Sequence, residues 1–354
     1  MINNKFAILY KNCLLVKGVK NSIICDLHLR RYLEIPFHYV TILEDFQTNS
    51  IDTVKGSYDE KSKKEIDQFL KYLKDKDYIF FTDSIEQWKE LDMQWFPRST
   101  ITNAVIDLKE DHYFFKNPFK IIQSLKALNC RFVQFRFFHE KEIGFEDLSN
   151  FLVLLEQTHL FSFEVLIRYN TAIGLEKYKS LCAKFKKVNL VLFNFKEIIK
   201  TNKSRIQVIK NDIKNEKCCG IISKNLFEVN AKKFAESIKY NSCLNRKLSI
   251  DKNGNIKNCP SMKHSYGNIE THRIEQIIDD QDFRKIWNLN KDQISICKVC
   301  EFRYICTDCR AYVEDPLDIN SKPLKCGYDP YTNKWEDWSK NPLKKKSIEY
   351  YRLK

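Results

Sequence analysis

Residues 103–137 read NAVIDLKEDHYFFKNPFKIIQSLKALNCRFVQFRF, and the spacing of their apolar residues changes twice. NAVIDL (103–108) is a short apolar run of the kind that forms a strand. PFKIIQSLKALN (118–129) opens on proline and then spaces its apolar residues as a helix does. RFVQFRFF (131–138) returns to a strand pattern. The alternation continues through a helix at FEDLSNFLVLLEQ (145–157), a strand at FEVLIRY (163–169), a helix at GLEKYKSLCAKF (174–185) and a strand at VNLVLF (188–193). RIQVIK (205–210) and GIIS (220–223) are candidates for two further strands. Repeated strand–helix units predict an α/β fold on a parallel sheet, open or curled into a barrel, with about six strands.

The flanks read differently. Residues 1–95 open with two strand-like runs, FAILYKNCLLVKG and NSIICDLH, followed by a helix at PFHYVTILEDF. DEKSKKEIDQFLKYLKDKDYIFFTD is then an amphipathic helix, with Ile66, Phe69, Leu70 and Leu73 on one face, and a closing strand. The C-terminal SKNPLKKKSIEYYRLK is basic and reads as a solvated tail. The 354 residues are 43% hydrophobic and 30% charged, which excludes wholesale disorder. No apolar run approaches the roughly 18 residues of a membrane helix. The N-terminus shows no secretory pattern, so a cytoplasmic protein is expected. With eight glycines and neither a Walker loop nor a dinucleotide fingerprint, phosphate-cradling chemistry is not expected.

The net charge is +14, which favours an acidic partner, whether nucleic acid, a membrane surface or an acidic peptide, although the lysines are scattered and a plain compositional bias accounts for them as well. Thirteen cysteines in such a chain point to metal or cluster ligation rather than disulfides. Cys130 and Cys182 suit the role of small buried hydrophobes. The C-terminal group does not: Cys243 and Cys259 flank Gly254, Cys297 and Cys300 are two residues apart, Cys306 and Cys309 likewise, and Cys326 follows. Paired cysteines of this kind hold zinc or an iron–sulfur cubane. Asp251–Asn255 reads as a hairpin turn between LSI and IKN, which would bring Cys243 and Cys259 together at the strand ends.

At these residues the chain resembles the SPASM domain, the C-terminal module of many radical SAM peptide maturases. The family pattern is C-x9–15-G-x4-C, then C-x2-C-x5-C-x3-C, then a last cysteine. The phrases ICKVCEFRYICTDCRAY and CPSMKHSYGNI fit it, and the one departure is the spacing of Cys306 and Cys309, shorter by one residue. The resemblance covers about residues 240–335. It implies two [4Fe-4S] clusters, the first on Cys243, Cys259 and Cys309 and the second on Cys297, Cys300, Cys306 and Cys326. Zinc is the alternative. Relatives that complete the first cluster carry a cysteine just before the first one; here SIKYNS stands there, and His264 is a candidate replacement.

The resemblance also implies that the middle of the chain is a partial (β/α)6 radical-SAM-like barrel. The C-x3-C-x2-C motif that binds the SAM-cleaving cluster is nevertheless missing. The corresponding loop, Lys109–Asn117, is KEDHYFFKN, and FRFF is followed by HEKEIG in place of a glycine-rich acidic turn. S-adenosylmethionine is therefore not expected as a cofactor, and His112 and His139 are expected to face solvent. The N-terminal part is similar to the winged-helix-like leader-peptide-binding domain fused to many maturases. Such domains add the peptide as a strand to a sheet edge. The expected division is residues 1–95 for this domain, 96–235 for the degenerate barrel, 236–338 for the SPASM domain and 339–354 for the tail.

This layout most resembles the SPASM protein of grasp-with-spasm systems, which mature ribosomally synthesised peptides. The resemblance implies a maturation factor with a precursor peptide, acidic in character, and an ATP-grasp ligase as partners, and with neither membrane nor nucleic acid among them. Two other readings stand beside it: a redox enzyme that uses the clusters on a bound peptide, and a zinc-stabilised binding module.

Overall fold

The computed structural model of the chain describes residues 5–85, 91–138, 142–158, 160, 162–196 and 205–353. His139 lies outside them. The chain begins with four strands, β1 (Phe6–Leu9), β2 (Cys13–Lys17), β3 (Asn21–Asp26) and β4 (Arg31–Pro36). Three helices follow, α1 (His38–Phe46), α2 (Ile51–Gly56) and α3 (Glu60–Asp75), and then β5 (Ile79–Thr82). β1 pairs with β5, while β2, β3 and β4 form an antiparallel meander. Where two strands were expected before α1 there are four. The first run breaks at a turn in which Cys13 N–H donates to Tyr10 O (2.7 Å). β4 buries only Ile35, so its hydrophobic signal is weak. α3 starts where the Asp59 carboxylate accepts from Ser62 N–H, and it buries Ile66, Phe69, Leu70 and Leu73, each worth about 1.5–3 kcal/mol.

The middle of the chain builds β6 (Asn103–Leu108), α4 (Tyr113–Lys116), α5 (Pro118–Ala127), β7 (Phe132–Phe137), α6 (Phe145–Glu156), β8 (Ser162–Arg168), α7 (Leu175–Lys184), β9 (Val188–Phe193) and β10 (Ile206–Ile209). Next come α8 (Ala231–Lys239) and the hairpin β11 (Lys247–Ile250) and β12 (Asn255–Lys257), then β13 (Gly267–Asn268), α9 (Ile274–Asp279) and α10 (Gln281–Lys285). The sheet order is β10-β9-β8-β7-β6-β11-β12-β13, and the first six of these strands run parallel. The fold is thus mixed α/β on one large, mainly parallel sheet. Its sixth parallel strand is β11, from the cysteine-rich hairpin, and not GIIS. Ile222 of GIIS makes a lone bridge to Cys326 instead.

The two faces of this sheet differ because side chains alternate along each strand. Ile106, Phe135, Val165 and Leu190 enter one large core with helices α5, α6 and α7. The opposite face carries polar residues on β6 and β7 and a small apolar cluster of Leu166, Val191 and Phe193 on β8 and β9. Arg136 and Asp107 form a buried ion pair there (Nε–Oδ1 2.6 Å), and Gln134 donates to Glu164.

The C-terminal part adds β14 (Tyr328–Asp329), β15 (Lys334–Trp335) and α11 (Lys345–Tyr350). The basic tail is docked, contrary to expectation. Lys344 donates to Leu324 O (3.0 Å) and pairs with Glu314 (2.9 Å), and Leu353 is buried. Tyr351 stacks edge-on against Tyr312. The tail's apolar residues sit at helical spacing, and carbonyls of residues 324 and 326 receive its one buried lysine among the described residues, Lys344. No helix among the described residues is long and apolar enough to cross a membrane.

Candidate iron–sulfur centres

The hairpin places the first cysteines. Ser249 faces Lys257 and Ile250 faces Ile256, so the register extended by two residues sets Lys247 across from Cys259. The turn is held by Asp251, whose Oδ1 accepts from Asn253 N–H (2.9 Å) and Asn255 N–H (3.0 Å). Gly254 adopts φ +80° there, a left-handed conformation suited to glycine. Cys243 is fixed by Asn241, whose Oδ1 accepts its N–H (3.0 Å) and whose Nδ2 donates to Asp308 (2.8 Å). Asp308 immediately precedes Cys309, so a single buried asparagine ties two of the candidate ligands together. Burial, and next the charge of Cys243, raises the Cys259 thiol to about 12. Burial and Cys243 likewise raise Cys309 to about 11.

The second group gathers around the N-terminal meander. Cys300, Cys306 and Cys326 share a core with Val16, Ile23, Cys25 and Phe302. Cys297 opens a tight turn closed by Cys300 N–H donating to Cys297 O (3.0 Å). Burial raises the Cys306 thiol to about 12, with the charges of Cys326 and Cys297 adding to it. The β2–β3 turn seats against this region, with Val19 N–H donating to Val299 O (2.9 Å). A Cβ on Gly18 would collide with Asn21 O, so this turn needs glycine.

The structure therefore brings Cys243 and Cys309 to Cys259, and Cys297, Cys306 and Cys326 to one another beside Cys300. Two lysines serve the sulfurs. Lys247 Nζ donates to Cys243 Sγ (3.4 Å), and Lys291 Nζ lies 3.9 Å from Cys297 Sγ. Burial opposes the charge of Lys291, but Cys297, Cys306 and Asp308 outweigh it and raise its pKa. Asp308 is itself buried and also pairs with Arg310 (2.7 Å). Among the described residues no three His, Cys, Asp or Glu side chains converge on a point that one metal ion could fill. Thiol donors in two groups with ammonium groups alongside fit the iron–sulfur chemistry.

Other sequence candidates fall elsewhere. His264 is exposed and packs edge-on against Tyr266 (4.4 Å). His112 is buried, contrary to the solvent-facing position expected of it. Its Nδ1 accepts from Phe114 N–H (3.1 Å) and caps α4, while its Nε2 lies 3.1 Å from Asp251 O. Loop 109–117 is thus a capped helical turn tied to the cysteine-rich hairpin. Cys130 and Cys182 are buried in the main core.

Sequence reasoning did not single out Lys247, Lys291, Asp308 or Cys219. Cys219 rests on the polar face of the sheet, its sulfur 3.2 Å from Arg136 Nη1. The adjacent cysteines at 218 and 219, just before the cysteine-rich region, were the available signal. Between the starts of β6, β7 and β11, a cavity of about 370 Å³ is lined by Asn103, Phe132, Lys233, Cys243 and Lys247.

Residues 242–301 match the SPASM iron–sulfur cluster-binding domain. The cysteine-rich region fits the binding of iron–sulfur clusters that this domain performs. No curated protein matches the chain. Among solved structures, Streptococcus suis SuiB bound to S-adenosylmethionine is similar over 89% of this chain and 98% of its own, at 10% identity and a TM-score of 0.35. A lipoprotein fragment from Peptoclostridium difficile 630 is similar over 30% of this chain and 84% of its own, at 11% identity and a TM-score of 0.17.

Proposed function

We propose that the chain is a peptide maturation factor of a ribosomal peptide pathway. In this reading it carries two [4Fe-4S] clusters and no SAM-cleaving site, binds an acidic precursor peptide and presents it to an ATP-grasp ligase. The observation that carries the reading is the gathering of the C-terminal cysteines into two groups within and beyond the SPASM match, while loop 109–117 offers no thiol. The clusters, when bound, supply electron transfer and a structural clamp. The chain's own residues do the rest: Lys247 and Lys291 hold charge beside the sulfurs, and Asn241 and Asp308 fix the loops that bear them.

The N-terminal domain is the proposed peptide receptor. β2 is an edge of its meander, and a groove of about 430 Å³ beside it is lined by Tyr10, Leu14, Leu15, Leu43 and Met93. A peptide added as a strand there would gain affinity from main-chain hydrogen bonds, with side chains in the groove. The other side of that meander packs against Cys300 and Cys306, so peptide and second cluster would sit on two sides of one small sheet. The test is binding of the precursor encoded beside the gene, measured by fluorescence anisotropy. Proline scanning of its leader should weaken binding more than alanine scanning. Equal losses from the two scans would contradict strand addition.

A further inference from the structure

A cubane presents four irons, and the first cysteine group has three members in Cys243, Cys259 and Cys309. We infer that Cys219 is the fourth thiolate of this group, which closes the first cluster to outside ligands. The inference rests on the cluster reading above and sharpens it, since an open iron would invite substrate and a closed one would not.

Residues 216–222 are held between the loops that carry the other ligands. The Ser261 hydroxyl, two residues beyond Cys259, donates to Glu216 O (3.1 Å). Lys325, beside Cys326, donates to Cys219 O (2.7 Å) and to Lys217 O. Ile222 forms a parallel bridge with Cys326. Between these anchors Gly220 takes φ +87°, and a Cβ placed on it would stand 2.9 Å from Cys309 Sγ. The backbone next to Cys219 thus closes on the Cys309 sulfur as nearly as a chain can, and only glycine permits it. The polar face of the sheet sets the Cys219 sulfur: Arg136, paired with Asp107, reaches it at 3.2 Å.

Residues 219 and 220 thus lie beside Cys309 through Gly220. His264 offers no comparable contact, being exposed against Tyr266.

The test uses the full chain reconstituted anaerobically with iron and sulfide, as wild type, Cys219→Ala, Cys218→Ala and Gly220→Ala. Each is treated with mild ferricyanide, which strips an iron that lacks a protein ligand and leaves a [3Fe-4S] cluster visible by EPR. Cys219 belongs to none of the hydrophobic core clusters, so its loss removes no core packing. Wild type and Cys218→Ala should show little of this signal. Cys219→Ala should show it strongly and lose about one iron per chain, and Gly220→Ala should follow it. A wild type that gives as much signal as Cys219→Ala, or a Cys218→Ala variant that gives more, would overturn the assignment. Wild-type protein without acid-labile sulfide would instead bring down the cluster reading, a result separate from either.

Discussion

The ammonium of Lys247 donates to the sulfur of Cys243 at 3.4 Å. Burial opposes its charge, and the neighbouring thiols outweigh burial and keep it protonated. Hydrogen bonds and positive charge at the sulfurs stabilise the reduced cluster and raise its potential. Lys247→Gln should lower the potential of the first cluster by on the order of 60 mV, a tenfold change for one electron. An EPR-monitored redox titration reads it, and the second cluster should not move.

Cys306 and Cys130 are both buried, but they have different neighbours. Cys306 lies with Cys297 and Cys326, whereas Cys130 lies in the main hydrophobic core and donates to Phe132 O. Cys306→Ser should lose about half of the iron and destabilise the C-terminal part, because metal-site binding contributes folding free energy. Cys130→Ser should keep its full iron content. Iron analysis with thermal denaturation of the two variants checks this.

Much of this contrast was legible in the sequence. The strand–helix alternation from 103 to 193 appears as written, because each element has a clear apolar period. Three things were not legible. The strand that completes the parallel run is β11, and its pairing with β6 joins residues far apart in sequence. Basic residues disguised the docked tail, in which Lys344 is the one buried lysine among the described residues and meets Leu324 O and Glu314. Cys219 lacked a motif, and only the fold carries its neighbour Gly220 against Cys309.

His112 gives a stability signature. Burial lowers its pKa, so it stays neutral in the folded chain while the unfolded chain takes up a proton near pH 6.5. The stability it contributes is therefore complete above about pH 6.5 and falls as the pH drops towards the folded value, by at most about 1.4 kcal/mol per pH unit. Denaturant titrations at pH 7 and pH 5 should show this loss in the wild type and a smaller one in His112→Gln.

Loop 109–117 holds no cysteine, and His112 turns it into a capped helix. Reduced, cluster-loaded protein should form no 5′-deoxyadenosine from S-adenosylmethionine above a control without protein. Chromatography of the reaction reads this, and product above the control would refute the reading of the core.

The most direct test of the central claim is the metal itself. Anaerobically purified and reconstituted chain is analysed for iron, acid-labile sulfide and zinc, with Mössbauer spectroscopy on ⁵⁷Fe-loaded protein. Roughly eight irons and eight sulfides per chain with the spectrum of [4Fe-4S] clusters are expected. Stoichiometric zinc with no sulfide would contradict it.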